Sequence, residues 1–224
     1  MTLSNGKIGF DYSFKENEIL SLVIESPTLF SEFVGSLWNQ CDGRDGSFSL
    51  YENDKAHNIS KEMECLVNPF AVDCNDKKII AALYKELKTI ADESYQEEVA
   101  STNLIILNLL DKISESSFYP LDYSFESDII SLLKLYDVHI CLEEDTLIER
   151  LLNYFRLKKK LCDTSIFVAV NIHQYLNKED IIELYKSLFY EKIFFISVES
   201  QDVPIYPNEK RYIIDKDCCI IDID

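Results

Sequence analysis

Residues 8–14 alternate apolar and polar side chains, the two-residue period of a half-buried strand. Ile19-Leu20-Ser21-Leu22-Val23-Ile24 is a short apolar run whose length fits a strand buried on both faces. Ser26-Pro27 then supplies an N-cap followed by proline at the first helical position. Leu29, Phe30, Phe33, Val34, Leu37 and Trp38 recur at helical spacing and predict a helix to about residue 40. Residues 42–46 read as a turn and 47–51 as the next strand.

From about residue 60 the period becomes helical. Amphipathic helices are predicted over 61–67, 77–91, 95–114 and 128–135, with breaks at Asn68-Pro69, around Ser94 and at Tyr119-Pro120. Strand signals resume at 138–142, and Asp145 or Thr146 caps a helix running to about Lys158. Residues 165–171 read as a buried strand, Asn177 caps a helix through Tyr190, and 192–198 form another strand. Shorter strands at 211–214 and 218–223 close the chain. Strands alternating with capped helices over short connections imply an α/β fold with a mainly parallel sheet covered on both faces. That head is assigned to residues 1–59 plus 138–224, and the helical block 60–137 is an insertion that should project from it.

Composition adds few constraints: 47% hydrophobic and 28% charged residues, with five Gly and five Pro, describe a globular chain with few long loops. Charge adds more. Forty acids against 22 Lys and Arg give −18, a field that repels phosphate and anionic membranes. Binding to nucleic acid then requires cations concentrated on one surface, or divalent cations that neutralise carboxylates. The insertion carries seven Lys against fifteen acids, a net of −8, which leaves −10 for the head. The first residues lack the charged and apolar blocks of a signal peptide, and no apolar run reaches the roughly 18 residues that span a bilayer. A cytoplasmic protein without membrane contact is expected.

The seven cysteines are irregularly spaced, contain no C-x-x-C pair and lie far from the three histidines, so a zinc site is not expected. Cys141, Cys162, Cys218 and Cys219 lie in or beside apolar runs, where a reduced thiol behaves as a small core hydrophobe. Catalysis finds no motif. The first strand–helix turn, Glu25-Ser26-Pro27-Thr28, has no glycine or lysine to wrap a phosphate and puts Glu25 where the phosphate would sit. Gly43-Arg44-Asp45-Gly46 resembles a G-x-x-G clamp but leads into a strand, as an ordinary turn does. His57, His139 and His173 have no partner close in sequence, and no nucleophile elbow is present. His139 is expected in a strand.

Two acidic clusters stand out, Asp122, Glu126 and Asp128 after Pro120, and Glu143-Glu144-Asp145. Neither has EF-hand spacing; the first reads as solvated charge or, since Ca²⁺ tolerates irregular geometry, as a hard-cation turn, and helix capping explains the second. The basic run Arg156-Leu157-Lys158-Lys159-Lys160 sits at a helix C-terminus, where it complements the dipole or contacts phosphate. Lys55 is an isolated cation in the loop leaving the second sheet segment, and Lys77, Lys78, Lys85 and Lys88 recur along one helix.

The order of elements and several strings resemble the Csn-two family, the CRISPR-associated spacer-acquisition proteins of type II-A systems. Four stretches carry the resemblance: residues 19–25 followed by a Phe-rich helix; 49–59 with its lysine before the helical insertion; 145–150 opening the helix that ends in Lys158-Lys159-Lys160; and Tyr212-Ile-Ile-Asp215-Lys-Asp217-Cys-Cys-Ile-Ile. Together they cover almost the whole chain. The resemblance implies an α/β head like a degenerate P-loop NTPase with an inserted α-helical leg. It implies a homotetrameric ring that holds calcium and binds free ends of double-stranded DNA without cutting. It implies the CRISPR integrase subunits and the type II effector nuclease as partners. It assigns DNA contact to Lys55 and to Lys158, Lys159 and Lys160, and calcium to Asp122 and Glu126, with Asp128 adjacent; in such a ring part of the lysine row, Lys77 and Lys85, is expected to line the hole. The acidic charge supports an alternative, an assembly factor of the same complex with weak or no DNA binding.

Overall fold

The computed structural model describes residues 1–123 and 128–223. The chain divides into two compact units, Met1–Cys74 with Leu142–Asp224, and Asn75–Cys141.

The first unit holds two sheets. Strands β1 (Thr2–Asn5), β2 (Phe10–Ser13), β4 (Ser49–Glu52) and β5 (Lys55–His57) form an antiparallel sheet in the order β2-β1-β4-β5. Strands β3 (Ile19–Ile24), β6 (Met63–Leu66), β7 (Ile166–Val170), β8 (Phe194–Glu199), β9 (Glu209–Ile214) and β10 (Ile220–Ile223) form the second, in the order β10-β9-β3-β8-β7-β6. Its strands are parallel except β10, which returns antiparallel to β9. A mixed α/β architecture with a largely parallel sheet is therefore present. Of the strands within 1–59 only β3 joins that sheet; the others build the separate antiparallel one.

Helix α1 (Pro27–Cys41) begins as its sequence demands, with Ser26 accepting from the Leu29 amide and Pro27 in the first turn. Its buried side chains Leu29, Phe33 and Leu37 join Leu3, Phe10, Leu20, Leu22, Val168 and Ile196 in one core on one face of the parallel sheet. Helices α6 (Leu147–Cys162) and α7 (Lys178–Tyr190) cover the opposite face. There Phe155 of α6 lies 4.6 Å from Phe167 and 6.1 Å from Phe195 between ring centroids, and Tyr185 of α7 is 6.4 Å from Phe195. Thr146 and Glu149 form a capping box that starts α6.

Three expectations change. Residues 61–67 are not a helix: α2 (Ile59–Glu62) ends after one turn, Met63 is extended, and Met63–Leu66 pairs with β7. Pairing with the neighbouring strand overrides the local helical pattern, burying Met63 and Cys65 on the α1 face. Residues 60–74 therefore belong to the sheet unit. Residues 138–142 are not a strand: Asp137 is left-handed at φ 47°, and Ile140 pairs through both backbone groups with the Asn75 amide at 2.8 and 3.0 Å. His139 is exposed there, its Nδ1 2.7 Å from the Asp137 carbonyl oxygen.

The second unit packs α3 (Lys77–Ser94), α4 (Gln96–Glu115) and α5 (Ile129–Leu135). Asp76 caps α3 through the Ile79 amide, and Ile79, Tyr84 and Ala91 are buried. Helix α4 buries no residue; Leu104, Ile105 and Leu109 are 61, 68 and 57% exposed. No helix among the described residues is long and apolar enough to cross a membrane.

Candidate functional site

Lys55 opens β5, directly after Asn53 and Asp54, whose φ values of 48° and 62° make the two-residue turn of a tight hairpin. It is thus a strand residue, paired in register with Glu52, and not a loop cation. Its side chain is exposed.

The basic run at the end of α6 does not act as one surface. Consecutive helical residues point about 100° apart, and Lys158 falls on the buried stripe of Ile148, Leu151, Leu152 and Phe155. Its ammonium is 3.3 Å from Glu64 and faces the Tyr154 ring at 5.3 Å. Lys158 is a core residue in this unit, which sets it apart from its neighbours as a candidate for DNA contact; Lys159 is half-buried and Lys160 exposed.

In the second unit Lys77 is the first residue of α3, and Lys77, Lys78 and Lys85 are exposed. The row divides: by helical geometry Lys78 and Lys85 share a face, while Lys77 lies with Lys88 about 80° away. Lys88 is tied to Asp128 at 3.2 Å.

The acidic turn lies partly outside the described residues, since Glu126 falls there. Asp122 is exposed. Asp128 caps α5, its Oδ1 accepting from the Ile130 amide at 3.4 Å and from Lys88. Among the described residues no group of three or more His, Cys, Asp or Glu is placed to hold a metal. Asp128 is thus already engaged by the Lys88 ammonium and by the α5 cap. Of the second cluster, Glu144 turns inward to Cys74 at 3.1 Å and Arg150 at 3.7 Å, while the Asp145 amide bonds Glu149.

The carboxyl end of β3 carries Glu25, exposed, with its amide bonded to the Ile214 carbonyl, and then the Ser26 cap. Both features oppose a phosphate loop. The thiols also depart from expectation: Cys41, Cys65 and Cys74 are buried, whereas Cys141, Cys218 and Cys219 are exposed. Burial pushes the Cys65 thiol up, and burial with a hydrogen bond to Glu144 pushes Cys74 up to about 12.

Sequence reasoning left His173 without a partner. It is surrounded by Glu199, Glu209, Tyr185 and Ser197, all from elements distant in sequence. The signal was buried polar residues in the sheet: Ser21 and Ser197 within the apolar runs of β3 and β8, and Arg211 in β9.

A largely parallel sheet with helices on both faces, whose chain is interrupted by a separate helical unit, defines the class as an α/β sheet protein with an intervening helical unit. Residues 40–218 match the model of the CRISPR-associated protein (Cas_Csn2) family. The chain is also 25% identical over 210 residues to the CRISPR-associated protein Csn2 of Streptococcus agalactiae, covering 89% of each chain. It belongs to the Csn2 family of CRISPR-associated proteins.

Proposed function

We propose that this chain acts in CRISPR spacer acquisition as a non-catalytic, ring-forming protein that binds double-stranded DNA at free ends. Family membership across residues 40–218 is the observation that carries the reading. The exposed cations Lys55, Lys77, Lys85 and Lys160 support it, because each phosphate contact needs a lysine or arginine able to reach solvent. The strand–helix turn at Glu25-Ser26-Pro27 supports a sheet of nucleotide-binding type reused without nucleotide chemistry. A homotetramer supplies four copies of each lysine, which is how a chain of charge −18 can still present a basic lining. Calcium, the integrase subunits and the type II effector nuclease enter through the family resemblance.

The test is a mobility assay of linear against closed circular duplex across a salt series, with calcium and with chelator, alongside sizing of the protein. Threading predicts that linear duplex binds and circular duplex does not, with steep loss of binding in added salt. Equal binding of both at equal salt overturns threading. The charge of −18 favours a second reading, an acidic assembly factor of the same complex. That reading predicts no salt-dependent duplex binding and retained capture of the adaptation partners.

A further inference from the structure

Strands β8 and β9 flank β3 and run parallel to it, so residues 200–208 must cross β3 and return from the carboxyl to the amino edge of the sheet. They do so without a helix. The right-handed rule for parallel crossovers places them on the α6–α7 face, since β7–α7–β8 advances across the sheet in the same direction. A helix satisfies its own backbone, whereas an extended segment must find partners beneath it. Arg211 supplies them. Its Nη1 donates to the Val203 carbonyl at 2.6 Å and to Asp202 at 2.9 Å, and its Nη2 to the Pro204 carbonyl and Ser21, both at 3.3 Å. Glu209 accepts from the Tyr206 amide at 2.9 Å.

The same face of the sheet is polar there, in contrast to the phenylalanines under α6. His173 follows β7, and its Nδ1 is 2.7 Å from Glu199 Oε1, to which Ser197 also donates. Its Nε2 is 3.4 Å from Tyr185 Oη, which donates to Glu209 at 2.6 Å. The Tyr206 ring stacks on the imidazole at 5.6 Å. The side chains of Glu199 and Glu209 are 0% exposed, Arg211 3% and His173 4%. Two buried carboxylates thus meet one guanidinium and one imidazole, and their charges balance only while His173 holds its second proton. Asp202 lies at the rim, 77% exposed, and Glu179 on α7 acts on Tyr206. Glu199 Oε2 and Arg211 Nε are buried without a hydrogen-bond partner, so hydrogen bonding alone does not satisfy the cluster.

We propose that residues 200–208 form a strap latched by this buried charge cluster, and that loss of the His173 proton releases the strap and opens the face of β3 and β9 beneath it. This device is independent of DNA binding. Burial lowers the affinity of His173 for its proton, but the contacts with Glu199 and Glu209 outweigh that and push its pKa from 6.5 up to about 9. A pKa raised in the folded state contributes stability that is complete below 6.5 and lost as pH rises through about 9. Opening is therefore alkaline-driven.

Hydrogen exchange of the full chain, corrected for intrinsic rates, tests the latch, with β7 peptides as internal control. Protection over 200–208 should fall by about tenfold or more between pH 6.5 and 9, since one pKa unit of coupling is a factor of ten, while β7 holds. His173→Gln should leave the strap weakly protected at both pH values. Glu199→Gln should move the transition to lower pH. Imidazole titration of the unaltered protein by NMR needs no variant to fold and should place His173 well above 6.5. Strap protection that ignores pH, a His173→Gln chain with the original pH dependence, or a His173 that titrates near 6.5 overturns the proposal.

Discussion

Lys158 and Glu64 meet at 3.3 Å between α6 and β6, with the lysine side chain 2% and the glutamate 23% exposed. This ion pair joins a helix face to an edge strand that local sequence pattern reads as helical. The aliphatic stem of Lys158 packs where a leucine would otherwise continue the stripe, and its head keeps the Glu64 carboxylate and the Tyr154 face. Lys158→Ala should lower stability by about 2 kcal/mol, less than the ~3–5 of a fully buried pair because Glu64 retains some water. Lys158→Met should recover part of that by refilling the stem. Urea denaturation measures both, and an alanine variant as stable as the parent contradicts the core role.

The exposed cations carry a different expectation. If Lys55 and Lys160 each neutralise one phosphate, removing either lysine should weaken duplex binding without regard to sequence. It should also flatten the plot of log affinity against log salt by ~0.9 for every phosphate left without its lysine. Lys158→Met should leave that slope unchanged. A slope that moves with Lys158 but not with Lys55 or Lys160 reverses the assignment made from burial.

Much of the sheet was legible because β3, β7 and β8 are buried along almost their whole length and are therefore mostly apolar, and their helices carry caps at Ser26, Thr146 and Asn177. What misled was local pattern where tertiary pairing decides. Residues 61–67 have helical spacing, yet β7 needs a neighbour and takes Met63–Leu66. Residues 138–142 have strand spacing, yet the Asn75 side chain takes the backbone groups a ladder would use. The Lys158–Lys160 run looked like one surface because adjacency in sequence is not adjacency on a helix. The charge cluster around His173 could be suspected from Ser21 and Ser197 inside apolar strands, but its partners come from β3, β8, β9 and α7, which only the fold brings together.

Thiol accessibility separates the cysteines in a way the apolar runs did not suggest. Cys141, Cys218 and Cys219 are exposed, and the last two follow Asp215, whose carboxylate accepts from the Asp217 and Cys219 amides to shape the β9–β10 turn. They should react first with a thiol reagent in the native protein at neutral pH. Cys41 and Cys65 should react only on unfolding, and Cys74, held as a thiol up to about 12, should be slow as well. Mass spectrometry of a timed labelling series distinguishes the classes. Early labelling of Cys65 contradicts the packing of β6 against α1.

Asn171 joins the end of β7 to the start of the strap. It is left-handed at φ 52°, and its Oδ1 accepts from the Ser200 amide at 2.8 Å and the Ser200 hydroxyl at 3.0 Å. Asparagine suits this position because its side chain tolerates the left-handed region while bonding nearby backbone. Asn171→Ala should lose both the conformational fit and the bonds, about 2 kcal/mol in all. Asn171→Gly keeps the fit and loses only the bonds, so it should be about 1 kcal/mol more stable than the alanine variant. Both should speed exchange over residues 200–208 at pH 6.5, where the His173 latch is charged, and leave β3 protected. If both variants unfold the whole unit together with the strap, then strap and sheet open as one body, and release of residues 200–208 is not a separate step.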